Sequence, residues 1–212
     1  MDPILTAVFR DIGKASPTIA YVGAANEDNP AFFERMVGMI QAVGKCTIVQ
    51  AITHPDDADI RKAVKTIRSA DAIFVSGGDV EAGMEVLEKK GITGIFCELY
   101  DQGKLLFGVS AGSIMLAREW VRWRDPDDDS TAELFPCLGV APVLCDTHGE
   151  ADGWEELKAA VALSSDGAIG YGITSSTCLK IGPFGDVAAM GGSISRYSRR
   201  GKTAKREADL VP

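Results

Sequence analysis

The sequence predicts an α/β fold, a three-layer sandwich in which a mostly parallel, doubly wound sheet is covered by helices. Short apolar runs rich in β-branched residues alternate with longer amphipathic segments, which is the pattern of a parallel sheet with helices on both faces. The 212 residues include 46% hydrophobic and 25% charged residues, which is typical of a chain that folds around its own core. We therefore expect one α/β domain over residues 1–212.

The first half of the chain predicts four strands joined by helices. Each strand is a short apolar run, and the helices carry apolar residues at helical spacing. The predicted strands are Thr18–Ala24, Cys46–Ile52, Asp71–Ser76 and Lys104–Val109. The predicted helices are Pro30–Val43, Asp56–Ser69, Val80–Lys90, Thr93–Gln102 and one that begins at Ala111.

The second half is less regular. A polar stretch at 124–130 precedes a predicted strand at Val140–Asp146 and a helix at Gly153–Leu163. Residues 168–190 contain short β-rich runs separated by glycines, which predict a small β-hairpin region near the C-terminus. Residues 196–212 are rich in Lys and Arg, and we expect them to form a basic, flexible tail.

Composition excludes several classes of function. The net charge of -8 disfavours binding to nucleic acid, because that affinity comes mainly from Lys and Arg. The five cysteines are widely spaced, and with only two histidines they indicate neither a disulfide framework, nor a metal site, nor a cofactor. The sequence lacks an export signal and a long apolar run, so we expect a cytoplasmic protein without a membrane partner. The oligomeric state stays open, a homodimer included.

The strongest motif is Gly-Val-Ser-Ala-Gly at residues 108–112, between an apolar strand and a predicted helix. In this context the motif is typical of a nucleophile on a sharp strand-to-helix turn, with Ser110 as the nucleophile. The N–H of Ala111 at the helix start could hold an oxyanion. The alternative is a glycine-rich junction at which Ser110 only caps the helix.

A serine nucleophile of this kind needs an imidazole base, and the chain contains only His54 and His148. His148 follows the predicted strand Val140–Asp146, at the sheet edge where α/β proteins place their sites. His54 precedes Pro55 in a loop and is the weaker candidate. A surface histidine without a function is the alternative for His148.

The imidazole needs an acid, and a second oxyanion donor is expected. Asp125 is the first candidate for the acid and Asp128 the second, although such a charge run is usually a solvated loop. The turn Ser76-Gly77-Gly78-Asp79 follows another strand, and the N–H of Gly78 or Asp79 could supply the donor. A plain loop is the alternative.

Three motifs occur along the chain in this order: the Gly-Gly-Asp turn, the Gly-Val-Ser-Ala-Gly-Ser elbow and the Asp-x-His strand end. With these motifs the chain resembles the dipeptidase E and cyanophycinase family of serine peptidases. The resemblance covers about residues 18–195 and implies a class I glutamine amidotransferase-like, flavodoxin-like fold with serine in place of the catalytic cysteine. It implies that Ser110 is the nucleophile and His148 the base. The implied oxyanion amides are Gly78, Asp79 and Ala111. Asp125 fits the dipeptidase pattern for the acid, and Asp128 the cyanophycinase pattern.

The chain also departs from these relatives. Cyanophycinase-like members carry an aromatic residue and arginines after the histidine, whereas residues 149–153 here are Gly-Glu-Ala-Asp-Gly. Their late acidic pair is replaced by residues 172–175, Gly-Ile-Thr-Ser. The sequence therefore predicts hydrolysis of a small peptide or amide without specifying it. A non-catalytic binding or regulatory relative and an α/β-hydrolase esterase are the alternatives.

Overall fold

The computed structural model describes residues 2–212, which form helices and strands in alternation through the first half of the chain. The helices are α1 Pro3–Ile12, α2 Pro30–Gln41, α3 Ile60–Ser69, α4 Val80–Lys89, α5 Thr93–Asp101, α6 Ala111–Leu116 and α7 Glu155–Leu163. The strands are β1 Thr18–Val22, β2 Thr47–Ala51, β3 Ala72–Val75, β4 Leu105–Gly108, β5 Glu119–Trp123, β6 Ala132–Pro136, β7 Leu144–Thr147, β8 Ile169–Ile173, β9 Cys178–Ile181, β10 Val187–Met190, β11 Ser195–Arg200 and β12 Thr203–Arg206. Among residues 2–212, no helix is both long and apolar enough to cross a membrane.

Contacts along the chain group it into two compact units. The first unit ends at Gly112, and the second is Ser113–Pro212. The α/β class, the parallel strands and the C-terminal β-hairpin that the sequence predicts are all confirmed. The expectation of a single domain stays a prediction.

The first unit is built on a four-stranded sheet in the order β2-β1-β3-β4, and all its neighbouring strands are parallel. One face packs against α1 and α2, where Phe9, Phe33 and Met36 meet Tyr21 and Phe74. The alternate residues of β1 and β3 point to the opposite face and are also buried, namely Ala20, Val22, Ile73 and Val75. Burial on both faces explains why these strands are continuous apolar runs.

Side chains fix where the helices of this unit begin. Asn29 accepts a hydrogen bond from the Phe32 amide and precedes Pro30 at the first helical position of α2. Asp59 and Asp79 cap α3 and α4 in the same way. The sequence placed the start of α2 correctly and started α3 four residues too early, because residues 56–57 form a turn and Asp59 is the N-cap.

The second unit contains a mixed six-stranded sheet in the order β12-β11-β8-β7-β5-β6. Strands β5, β7 and β8 are parallel neighbours, and the remaining pairs are antiparallel. Helix α7 packs Leu157 and Val161 against Leu144 and Tyr197 on one face. The β9–β10 hairpin packs against Val143, Cys145 and Tyr171 on the other face.

Two regions of the second unit differ from the sequence prediction. The helix that begins at Ala111 ends at Leu116, and the chain continues as the unforeseen hairpin of β5 and β6. Its register is stabilised by the edge-on contact of Trp120 with Phe135 and by the ion pair of Arg122 with Glu133.

The prediction of a flexible tail from residue 196 onwards is wrong for residues 196–206. These residues lie in β11 and β12, because β11 pairs with β8 and buries Tyr197. Their basic side chains lie beside acids, as in the ion pairs of Arg200 with Glu207 and of Arg206 with Asp209. Leu210 continues the pairing through an isolated bridge to Ile194.

Candidate active site

Ser110 lies on a sharp turn between β4, which ends at Gly108, and α6, which begins at Ala111. Its backbone has φ of 53°, in the left-handed region that a residue with a Cβ rarely adopts. Such strain costs about 1–3 kcal/mol and persists only where the surrounding structure enforces it. The strand-to-helix elbow expected from the motif is therefore present, and the Ser110 side chain is partly exposed.

Gly112 allows the elbow to pack closely on the neighbouring strand. A Cβ at Gly112 would overlap the carbonyl oxygens of Val75 and Ser76 at the end of β3. Val109 also donates its backbone N–H to Val75 O at 3.2 Å. The second glycine of the motif therefore brings the start of α6 against the end of β3.

The Gly77-Gly78 turn lies directly beside Ser110. A Cβ at Gly77 would lie 3.1 Å from Ser110 Cβ and 3.7 Å from Ser110 Oγ. At Gly78, φ is 147° and a Cβ would overlap the Ala25 carbonyl oxygen, so only glycine fits. The structure thus brings together the elbow and the glycine turn that the sequence singled out.

The three predicted oxyanion amides differ in their partners. Asp79 donates its N–H to Ala25 O at 2.7 Å, so this amide is already used within the fold. The Asp79 side chain also accepts the Ala82 N–H at 2.8 Å at the start of α4. A role of the Asp79 amide as an oxyanion donor stays a prediction. Across residues 2–212, the amides of Gly78 and Ala111 donate to no protein acceptor.

A buried polar network, which the sequence analysis missed, lies behind the glycine turn. Tyr21 donates its hydroxyl to Ser76 Oγ at 2.9 Å, and burial raises the Tyr21 pKa above its ordinary value, which keeps the phenol protonated. Asn26 Nδ2 donates to Ser76 Oγ at 2.9 Å and to Gly77 O at 2.7 Å. The polar run at residues 26–29, a few residues after β1 at the carboxyl edge of the sheet, marked the region in the sequence but not the contact with Ser76.

The second histidine, His54, lies after β2 in the first unit. Its backbone N–H donates to Asp28 Oδ2 at 2.8 Å, and Thr53 N donates to the same oxygen at 2.5 Å. Asp28 is buried, and its carboxylate thus joins the loop after β1 to the loop after β2. The backbone of His54 therefore has a structural role in this corner.

His148 follows β7 in the second unit, as expected. Its side chain is exposed and its backbone has φ of 64°, again in the left-handed region. The next residue, Gly149, is buried, and a Cβ there would lie 2.8 Å from Trp154 Cε3. The Trp154 ring also covers Gly172 of β8, so both glycines accommodate the same indole.

Asp146 lies beneath the His148 loop and was not predicted as a site residue. It is 4% exposed, and its Oδ1 accepts the Thr147 N–H at 2.7 Å. Burial raises the pKa of Asp146 to about 7, and the nearby carboxylates of Glu156 and Asp152 act in the same direction. A carboxyl group within an otherwise apolar strand was the signal in the sequence.

The predicted acids lie in the loop between β5 and β6. Asp125 Oδ1 accepts the Asp127 N–H at 3.1 Å, and Asp128 Oδ1 accepts the Ser130 N–H at 2.9 Å. The hydrogen bond from Ser130 lowers the pKa of Asp128 below its ordinary value. Both side chains are exposed, and within the described second unit neither carboxylate accepts a hydrogen bond from His148.

The first unit brings together groups of the kind that acyl transfer uses. A hydroxyl on a strained elbow lies beside a glycine turn, and the amides of Gly78 and Ala111 have no protein acceptor among residues 2–212. Uncommitted amides near a nucleophile are the donors that stabilise a tetrahedral oxyanion. For acyl transfer, the arrangement needs a base for the Ser110 proton.

Solved structures of other proteins share this fold. A peptidase from an acI-B1 Actinobacterium is 17% identical and has a TM-score of 0.67, with 99% of this chain and 90% of that chain covered. A putative peptidase E protein from Listeria monocytogenes EGD-e is 17% identical and has a TM-score of 0.54, covering 71% and 77%. These likenesses concern the fold, and no curated protein matches the chain. Residues 2–182 match peptidase family S51, and the chain therefore belongs to this family of serine peptidases.

Proposed function

We propose that this protein hydrolyses a small peptide or amide through an acyl-enzyme on Ser110, with His148 as the general base. The observation that carries the proposal is the left-handed Ser110 beside Gly77, with two uncommitted amides close by in the chain. Strained backbone of this kind is kept at sites where a side chain must be presented to a substrate. Membership of the S51 family supports the same chemistry.

The reaction divides into two acyl transfers. Ser110 Oγ forms a bond to the substrate carbonyl carbon as His148 takes the hydroxyl proton, and the carbonyl oxygen becomes an oxyanion held by the amides of Gly78 and Ala111. The C–N bond then breaks, and the amine leaves with the proton from His148. Water repeats the sequence on the ester, which releases the acid and restores Ser110.

The proposed substrate is a small peptide. The Listeria relative is described as a putative peptidase E and the actinobacterial relative as a peptidase. The chain lacks the arginines and the late acidic pair of cyanophycinase-like relatives, and Gly149 and Gly172 instead make room for Trp154. The preference of the enzyme for particular substrate side chains is therefore not inferred from those relatives, and a screen of dipeptides would determine it.

The test is covalent labelling combined with turnover. A fluorophosphonate probe should modify wild type at Ser110, and Ser110→Ala should show neither labelling nor hydrolysis across a dipeptide library. His148→Ala should lower both rates by about 10²- to 10⁴-fold. His54→Ala is the matched control and should retain both. Labelling at another residue, or hydrolysis by Ser110→Ala, would refute the proposed nucleophile.

We propose Asp125 as the acid that orients His148. The Asp125 side chain has one oxygen bonded to a loop amide and a second oxygen without a partner among the described residues. Asp125→Asn should lower kcat by at least about 10²-fold, because the imidazole would lose its charged orienting partner. Asp128→Asn is the matched control in the same loop. A larger loss at position 128 would transfer the role to Asp128.

A further inference from the structure

The peptide that joins Gly77 to Gly78 is held in one orientation by a side chain from another loop. Asn26 Nδ2 donates to Gly77 O at 2.7 Å. The Asn26 amide is itself oriented, because its Oδ1 accepts the Asn29 N–H at 3.2 Å and its Nδ2 also donates to Ser76 Oγ at 2.9 Å. The nitrogen of the side chain therefore faces the Gly77 carbonyl.

The hydrogen bond at Gly77 determines the direction of the Gly78 amide. In a planar trans peptide the C=O and the following N–H point in opposite directions. When Asn26 holds Gly77 O, the Gly78 N–H must point away from Asn26. This N–H donates to no acceptor within residues 2–212, so the fold does not use it.

Other contacts hold both sides of the Gly77–Gly78 peptide, so rotation of the peptide plane is the main freedom that remains. Ala25 O fills the space in which a Gly78 Cβ would lie, and the same oxygen accepts the Asp79 N–H at 2.7 Å. On the other side, Gly77 lies against Ser110 Cβ. Two glycines in sequence have a low barrier to peptide reorientation, because both tolerate positive φ. A specific hydrogen bond is therefore required to select one orientation.

We infer that Asn26 is a positioning residue, whose hydrogen bond to Gly77 O orients the Gly78 N–H towards the oxyanion formed on the Ser110 adduct. The inference rests on the proposed function and adds to it a residue that contacts no reacting atom. Asn26 should therefore affect transition-state stabilisation rather than substrate binding.

The first experiment separates kcat from KM. Asn26→Ala should lower kcat on the best dipeptide about 10- to 100-fold, with KM changed less than about threefold, because oxyanion donors act mainly in the transition state. Tyr21→Phe is the matched control. It removes the 2.9 Å hydrogen bond to Ser76 Oγ and the long 3.4 Å hydrogen bond from Asn26 Nδ2, but it leaves the 2.7 Å bond from Asn26 to Gly77 O. It should therefore retain kcat within about threefold.

A second variant gives a signature that a purely structural role would not produce. Asn26→Asp keeps the side-chain shape and the acceptor for Asn29 N–H, but at neutral pH its carboxylate faces the Gly77 carbonyl without a proton to donate. At lower pH the protonated carboxyl can donate again. The ratio of variant to wild-type kcat/KM should therefore rise as the pH falls from 7 to 5, and taking the ratio cancels pH effects that are common to both enzymes.

The outcomes separate this inference from the proposed function. Hydrolysis by Ser110→Ala refutes the proposed function, whereas an inactive Ser110→Ala with normal kcat in both Asn26 variants refutes only the role of Asn26. Should the variants fail to fold, a structure of the wild-type fluorophosphonate adduct decides. Gly78 N within about 3.1 Å of the phosphonyl oxygen supports the inference, and a Gly78 N–H directed elsewhere overturns it.

Discussion

Gly77 packs against Ser110 so closely that a Cβ on Gly77 would lie 3.1 Å from Ser110 Cβ. This separation is shorter than ordinary van der Waals contact and concerns two segments that are more than thirty residues apart in the sequence. The glycine turn therefore borders the space around Ser110, and the lack of a side chain at Gly77 determines how large that space is.

Gly77→Ala should impair the enzyme more than it impairs folding. The added methyl group must displace Ser110 or the Val109 carbonyl by a few tenths of an ångström, and small misplacements of a nucleophile are costly. We expect the rate of fluorophosphonate labelling to fall about 10-fold. Gly38→Ala is the control, because nothing lies near that helical glycine. Equal labelling rates in both variants would show that the glycine turn tolerates a methyl group beside Ser110.

Gly112→Ala should destabilise the protein, because a Cβ at this position would overlap the Val75 carbonyl oxygen. Backbone atoms cannot move aside as a flexible side chain can, so we expect a loss of about 3 kcal/mol in the free energy of unfolding. Gly94→Ala in α5 has open space and should be neutral or slightly stabilising. Urea denaturation of the two variants measures the difference, and equal midpoints would contradict the proposed close packing.

Asp146→Asn should change how stability depends on pH. The folded-state pKa of about 7 lies above the ordinary value of 3.8, so the folded protein holds a proton that the unfolded chain has released. The free energy of unfolding should therefore fall as the pH rises from about 4 to about 7, by up to about 4 kcal/mol from this group, and then level off.

The asparagine does not titrate, so the variant should lack this fall. Chemical denaturation at pH 5 and pH 8 gives the measurement, with Asp166→Asn, an exposed acid of the same unit, as the control. The control should show the wild-type difference between the two pH values. If Asp146→Asn shows it as well, the carboxyl group titrates at an ordinary pKa and the effect of burial is refuted.

Features set by local sequence were predicted, and features set by contacts distant in the sequence were not. The elbow at Ser110 and strand β1 follow from neighbouring residues, since motif, apolar run and helix start are contiguous. Asn26 contacts Ser76, which lies 50 positions away, and no local pattern indicates such a contact. Strand β5 was missed because Trp120 and Arg122 alternate with residues of mixed polarity, in a hairpin that is only partly buried.

The C-terminal strands give the clearest case of local composition misleading the prediction. Six basic residues between 196 and 206 indicate a solvated segment. However, Tyr197 is 8% exposed and packs with Trp154 and Leu157, while the Arg206 guanidinium lies 5.3 Å from its ring centre. One buried aromatic residue and the pairing with β8 outweigh the charge, because the basic side chains extend into solvent or pair with acids.

Tyr197→Ala should therefore behave as a core substitution. Removing a buried aromatic side chain costs about 3 kcal/mol or more in the free energy of unfolding, through lost burial and the resulting cavity. Lys202→Ala, in the exposed turn between β11 and β12, is the matched control and should change stability by less than about 0.5 kcal/mol. Urea denaturation compares the two variants. A flexible tail would make both changes neutral, and that result would contradict the pairing of β11 with β8.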